Sequence, residues 1–392
     1  MSEIYVISGV RTAIGDFGGA LKGLAASDLG GRVASEAIAR SGLAAGDIGH
    51  VVMGQVFITS AKDAYIARVV ALRAGIPVDA PALTVNRLCG SGLQAVISAA
   101  QTMRAGEVSV TLAGGTESMS NIPYHDHGTR WGKKMGDAVL VDALTQGLSD
   151  PIGEYHMGVT AENVAEACGV SRDEQDRLTV EGHRRAVRAI EEGRFKAQIL
   201  PVTLKSGKSE RVFDTDEHPR ADTTIETLAA MKPVFKKDGS VTAGNASGIN
   251  DGAAALVLAT GEMVQARNLT PMARIVAWSH AGVEPHLMGL GPVKAVPIAL
   301  ARAGLTLADM DVIEANEAFA AQALGVAREL GFDPEKLNPN GSGVALGHPV
   351  GATGAILLVK AAYELQRTGG RYALITMCIG GGQGIAMIIE RV

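Results

Sequence analysis

The chain has 392 residues, 47% apolar and 20% charged, with a net charge of −5. That length supports two to three domains and a large core, and the absence of a basic field argues against nucleic acid or an anionic membrane as the main partner. Three cysteines argue against a disulfide framework and fit a reducing cytosol. No apolar run reaches the roughly 18 residues of a membrane span, and residues 1–8 lack a basic and apolar secretory leader.

Residues 5–8 predict a short strand, and Ser27 predicts the cap of a helix with Leu29, Val33, Ala37 and Ile38 on one face and Gly42 as its stop. Residues 50–56 and 82–86 predict strands, 92–104 a helix stopped by Gly106, and 108–113 a strand ending at Gly114-Gly115. Strands alternating with helices imply a mostly parallel sheet covered by helices. From about residue 120 to 248, charge, histidine and turn signals rise. One helix starts there at Ser171, with Glu174 completing a capping box, and runs to about residue 192. Basic residues follow at Arg194, Lys196, Lys205, Lys208 and Arg211, and the stretch predicts an insertion lying over the first domain. The alternation resumes near residue 272, with strands over 312–315, 371–378 and 385–390 and helices over 319–330 and 351–367. Each half has a loop with reactive residues, a glycine-opened helix, an apolar strand and a double glycine. The pair Gly114-Gly115 sits where Gly380-Gly381 sits in the second half, which points to a duplicated α/β domain.

The chemistry concentrates in glycine-rich loops. Cys89, in Cys89-Gly90-Ser91-Gly92, stands between a predicted strand and a predicted helix. A helix N-terminus offers free N–H groups and a positive dipole end, both of which favour the nucleophilic thiolate. His348, in Gly347-His348-Pro349, lies on a stretch that fits no regular element. It reads either as a base for Cys89 or as a loop histidine satisfying backbone groups. Cys378 ends a strand before three glycines whose amides suit an oxyanion hole; the alternative is a resolving thiol in redox chemistry. Asn316, in Glu314-Ala315-Asn316-Glu317-Ala318-Phe319, is a donor at a strand's C-terminal end or a helix N-cap, or both. Cys168 has a plain, structural setting. No CxxC or HExxH pattern supports a metal, and no full dinucleotide fingerprint follows the first strand.

Four motifs carry a resemblance to a known family: 86–92 around Cys89, Asn316-Glu317-Ala318-Phe319, Gly347-His348-Pro349 with Gly351, and 378–384. In this order and at these separations the whole chain resembles a thiolase of the bacterial acetyl-CoA acetyltransferase and β-ketothiolase group. The resemblance implies a duplicated α/β core of mixed sheets sandwiched by helices, with an inserted loop domain. The implied parts are 1–118 completed by 249–271, a loop domain over 119–248 covering a coenzyme A cleft, and 272–392. It implies reversible Claisen condensation of two acyl-CoA molecules to a 3-ketoacyl-CoA and CoA, with a degradative enzyme of longer-chain preference as the alternative. By resemblance Cys89 is acylated, His348 activates it, and Cys378 is the acid/base on the second substrate. Asn316 with a water and His348 binds a thioester oxygen, and the amides of Cys89 and Gly380 form a second oxyanion hole. Leu148, His156, Met157, Arg220, Phe235, Ala243, Ser247, Met288, Ala318 and Phe319 match positions that contact coenzyme A. The expected partners are acyl-CoA substrates and CoA, with no further cofactor and no metal, in a cytoplasmic homotetramer built from dimers. Acetoacetyl-forming members often have glutamine where this chain has Arg87, and residues 57–62 depart from the glycine- and glutamine-rich segment of acetyl-specific members. A ketoacyl-carrier-protein synthase or hydroxymethylglutaryl-CoA synthase would share the nucleophilic cysteine. The first would need a second catalytic histidine where this chain has Cys378.

Overall fold

The computed structural model describes residues 3–206 and 209–392, so the basic residue Lys208 lies outside the described residues. One order of elements occurs twice. The first copy runs β1 (Ile4–Thr12), α1 (Ala26–Ser41), β2 (His50–Gly54), α2 (Ile66–Arg73), β3 (Ala82–Val85), α3 (Ser91–Arg104) and β4 (Val110–Ser118). The chain then makes a long excursion that carries α4 (Met157–Cys168) and α5 (Arg172–Glu191), and returns as β5 (Asn250–Thr260). The second copy runs β6 (Ala273–Gly282), α6 (Gly291–Ala303), β7 (Val312–Ala315), α7 (Ala320–Leu330), α8 (Val350–Thr368), β8 (Tyr372–Ile379) and β9 (Gln383–Arg391). In place of a counterpart to β3 it has a single bridge, Leu337 to Ile313 of β7.

The strands form one continuous mixed sheet in the order β7-β8-β9-β6-β1-β5-β4-β2-β3. Read outward from its centre, β1-β5-β4-β2-β3 repeats as β6-β9-β8-β7. The two copies join where β1 pairs antiparallel with β6, Ile4 opposite Ile275. Pairing is parallel between β2 and both β3 and β4, and between β7 and β8, and antiparallel elsewhere along this path. The seam through β1 and β6 is a feature that the two separate halves of the sequence do not reveal.

Helix ends follow local chemistry. In α5, Ser171 Oγ accepts from Glu174 N and the Glu174 carboxylate accepts from Ser171 N at 2.8 Å, as the capping box predicts. Helices α1 and α7 stop at Gly42 and Gly331, both in the left-handed region. The expected Ser27 cap is displaced: α1 starts at Ala26, Asp28 reaches back to Ala25 N, and buried Ser27 accepts from Arg73 instead. Strand β4 does not end at Gly114-Gly115 but continues to Ser118. A Cβ at Gly115 would lie 2.1 Å from the Gly351 carbonyl, so this glycine serves close packing of α8 on the strand rather than a turn.

Helix α8 contacts strands of both copies and is buried nearly all round, as an apolar helix in a central layer must be. Ile356, Leu357, Leu358 and Val359 are at most 3% exposed, each contributing about 1.5–3 kcal/mol by burial. Helices α3 and α8 touch backbone to backbone. A Cβ at Gly92 would lie 2.7 Å from Ala355 N, and one at Gly354 would lie 2.4 Å from Leu93 N. That contact fixes the spacing of the two loops that open these helices.

Candidate active site

The four reactive side chains sit at C-terminal ends of strands or at the N-termini of the helices that follow, where ligand sites gather in α/β proteins. Cys89 and His348 each stand two residues before a helix, α3 and α8 respectively. Asn316 follows the last residue of β7, and Cys378 lies near the end of β8. The loop carrying Cys89 is tightly wound. Leu88 takes a left-handed φ of 46°, sparsely populated for a branched side chain. Its amide donates to Asn86 Oδ1, and Ser91 Oγ accepts from Arg87 N and donates to Leu88 O at 2.6 Å. Gly90 has no side chain because Ile379, at the end of β8, comes within 2.6 Å of where a Cβ would be. The loop is thereby pressed against the Cys378 strand.

Arg87 ties the same two parts together from the other side, donating to Gln383 Oε1 at 3.1 Å just after the glycine turn. At that turn Gly381 and Gly382 both have positive φ, near 78° and 86°, which lets the chain reverse directly after Gly380. The amides of Gly380 and of Cys89 itself both face the Cys89 sulfur. Burial pushes the Cys89 thiol up, and these two donors pull it back down. Cys378 is fully buried. Burial first, and then the nearness of Cys89, push its thiol far above the ordinary cysteine range.

His348 is 5% exposed, and burial pushes its pKa down to about 4, so the ring is neutral at physiological pH. Its backbone N–H donates to Asn250 Oδ1 at 2.9 Å, and Asn250 Nδ2 in turn donates to Gly15 O and Asp16 Oδ1. Nδ1 meets Thr353 Oγ1 at 2.6 Å, and Nε2 stands 3.5 Å from Asn316 Nδ2. Behind Cys89 the buried Glu117 carboxylate accepts from the amides of Val56, Phe57 and Gly351. Burial raises it to about 8 against the pull of those amides.

Above these groups opens a cleft of about 1010 Å³ whose wall is mostly apolar. Cys89, His348 and Gly380 line it, and so do all ten residues expected to contact coenzyme A. Cys378 and Asn316 are not among the lining residues; both are buried just beneath. His156 caps α4 by accepting from Gly158 N, and its ring stacks on Phe235 at 4.7 Å, which meets Phe319 edge-on at 6.1 Å. Ser247 is fixed by donating its amide to Ala318 O. His218 lines the cleft next to Arg220, its Nδ1 meeting Asp16 Oδ1 at 2.5 Å. Next to Cys89, Phe57, Met119 and Val350 form a small apolar cluster.

The N-terminal domain model of thiolases matches residues 4–262, and the C-terminal domain model matches residues 269–391. The chain belongs to the thiolase family. It is 57% identical over 391 residues to the beta-ketothiolase BktB of Cupriavidus necator, covering all of this chain and 99% of that relative. It is 48% identical, over the full length of both, to an acetyl-CoA acetyltransferase of Pseudomonas aeruginosa. Among solved structures it superposes on the human mitochondrial 3-ketoacyl-CoA thiolase in complex with CoA with a TM-score of 0.97, at 44% identity, covering 100% of this chain and 98% of that one.

Several groups around this thiolase site escaped sequence reasoning: Thr353, Asn250, Glu117 and the brace between Arg87 and Gln383. Glu117 carried one signal, a lone charge in an otherwise uncharged strand. Asn250 and Gln383 carried none. Among the described residues no helix is long and apolar enough to cross a membrane.

Proposed function

We propose that this chain is an acyl-CoA C-acetyltransferase that joins two acyl-CoA molecules into a 3-ketoacyl-CoA plus CoA, and reverses the reaction by thiolysis. The observation that carries this reading is the meeting of two thiols, one neutral imidazole and an inward amide at the floor of an apolar cleft. Coenzyme A lies along the cleft, against Leu148, His156, Met157, Arg220, Phe235, Ala243, Ser247, Met288, Ala318 and Phe319. Residues 119–248 cover it, and the reaction needs no cofactor beyond its thioester substrates.

In the first half-reaction His348 Nε2 takes the Cys89 proton as the sulfur attacks the thioester carbonyl. The amides of Cys89 and Gly380 hold the oxyanion, each donor worth roughly 3–4 kcal/mol at related sites. The departing CoA sulfur takes a proton from Cys378, leaving a Cys378 thiolate and a His348 imidazolium. A thiolate in so buried a place is a strong base, and it removes the α-proton of the second acyl-CoA. Asn316 and His348 hold that substrate's thioester oxygen while the enolate attacks acyl-Cys89. The released Cys89 thiolate recovers its proton from His348. The scheme predicts ping-pong kinetics.

One experiment with two variants tests it. Under labelled acetyl-CoA, Cys89→Ala should form no acyl-enzyme by mass spectrometry, and Cys378→Ser should acylate but lose most condensation. Acylation of Cys89→Ala, or near-normal condensation by Cys378→Ser, would overturn the assignment.

A further inference from the structure

Thr353 has no part in the family resemblance above, yet it is the only side chain that touches Nδ1 of His348 among the described residues. Thr353 is 3% exposed and lies in the first turn of α8, whose N-cap is Pro349. Its hydroxyl has one hydrogen and two lone pairs. The hydroxyl lies 2.9 Å from the Pro349 carbonyl, a group that only accepts, and 2.6 Å from His348 Nδ1. With its hydrogen on Pro349 O, Thr353 offers His348 a lone pair alone. On the ring's other side Nε2 stands 3.5 Å from the Asn316 side-chain amide, whose Oδ1 lies buried beside Gly343 with no hydrogen-bond partner among the described residues.

We infer that Thr353 is the positioning residue of this site: by accepting from Nδ1–H it holds neutral His348 in the tautomer whose Nε2 lone pair faces the cleft and Cys89. His348 is thus held at two points, its backbone by Asn250 and Nδ1 by Thr353, which leaves Nε2 open. The inference rests on reading His348 as the base, since only a free Nε2 lone pair can take the Cys89 proton.

Thr353→Val keeps the branched shape but removes the acceptor. The expected result is a fall of about 10- to 100-fold in the rate of Cys89 acylation, the range seen when the partner that orients a metal-bound histidine is lost, with KM for acetyl-CoA unchanged. Thr353→Ser should restore most of the rate. Nitrogen-15 NMR of the histidine-labelled wild-type protein reads the tautomer directly and needs no variant. His348 should show a protonated Nδ1 and a bare Nε2. An Nε2-protonated ring, or wild-type acylation by folded Thr353→Val, overturns the inference. His348→Ala separates the two readings. If it fails to acylate while Thr353→Val acts normally, the base stands and the positioning role falls. If it acylates normally, the base reading falls, and the spectrum alone still decides the tautomer.

Discussion

The contact between α3 and α8 sets the spacing of the Cys89 and His348 loops, the proposed nucleophile and base, and Gly354→Ala tests it. A methyl group there would lie 2.4 Å from Leu93 N and 2.7 Å from Leu93 Cβ. Ordinary contacts are about 3.5–4.0 Å, so the helices must part by about 1 Å. Cys89 opens one of them and His348 the other, and a misplacement of about 1 Å costs on the order of 10²-fold in rate. Stability moves far less. Alanine gains about 1 kcal/mol of helix propensity over glycine, against about 1–3 kcal/mol for overpacking. The net loss is about 0–2 kcal/mol. At about 2.1 cal/mol/K per residue, 392 residues give an unfolding entropy of about 0.8 kcal/mol/K, so Tm falls by at most about 2–3 °C. Rapid-quench acylation with labelled acetyl-CoA and a thermal melt, run together, should show the rate collapsing while the fold persists. Gly46→Ala is the control, because nothing lies within 4 Å of a Cβ there. Acylation by Gly354→Ala within a few-fold of wild type would refute the claim that this contact holds the two loops.

The pH profile of acylation offers a second test. Burial lowers His348 to about 4, so the base stays unprotonated as pH falls and is lost only as pH passes through about 4; single-turnover acylation should be flat from about pH 7.5 to 5.5. A ring near the ordinary 6.5 would lose about nine-tenths of its activity by pH 5.5, and a half-rate near pH 6.5 contradicts the assignment. A third concerns the buried pair beneath Asn316: Lys360 Nζ donates to Glu314 Oε2 and to Gly341 O, both at 2.7 Å. Lys360→Met strands a buried carboxylate, an expected loss of about 3–5 kcal/mol that Glu314→Gln should partly relieve in the double variant; an unchanged denaturation midpoint for the single variant would show that the pair contributes nothing.

The groups that meet at the floor of the cleft were legible in the sequence because each announces itself locally. Cys89, His348 and Cys378 sit among glycines, and Asn316 sits at a strand end. The Ser171–Glu174 cap and the stops at Gly42 and Gly331 were legible for the same reason, being decided within one turn. What failed was decided at a distance. Ser27 looked like a cap, but its hydroxyl was taken by Arg73. Gly114-Gly115 looked like a turn, but its missing side chains make room for α8 and β5. Helix α6 went unread because Pro297 lies inside it. Asn250 reaches His348 across 98 positions and Glu117 reaches Gly351 across 234, separations over which no local pattern carries information.

The duplication, faint as a sequence echo, explains the layout of the site once the registers are compared. The parallel pair β2–β4 ends at Gly54 opposite Gly115, and its counterpart β7–β8 ends at Ala315 opposite Thr376. One residue past the first strand of each pair stand Gln55 and Asn316. Two residues past the last paired position stand Glu117 and Cys378. Two residues before the following helix stand Cys89 and His348. Each copy therefore supplies the same three positions, and the site uses Cys89 from one, and His348, Asn316 and Cys378 from the other. Glu117 occupies the place of Cys378 but faces three backbone amides, two of them in the 55–57 segment and one at the start of the His348 helix. A carboxyl group that accepts from three amides in two separate segments ties those segments together and acts as a brace. The second copy placed a thiol there instead, with Cys89 as its near neighbour. On the proposed mechanism, one copy holds the scaffold and the nucleophile while the other moves protons. The asymmetry arises from single side chains at matched positions of a shared backbone, which is why the spacing of either half alone did not reveal it.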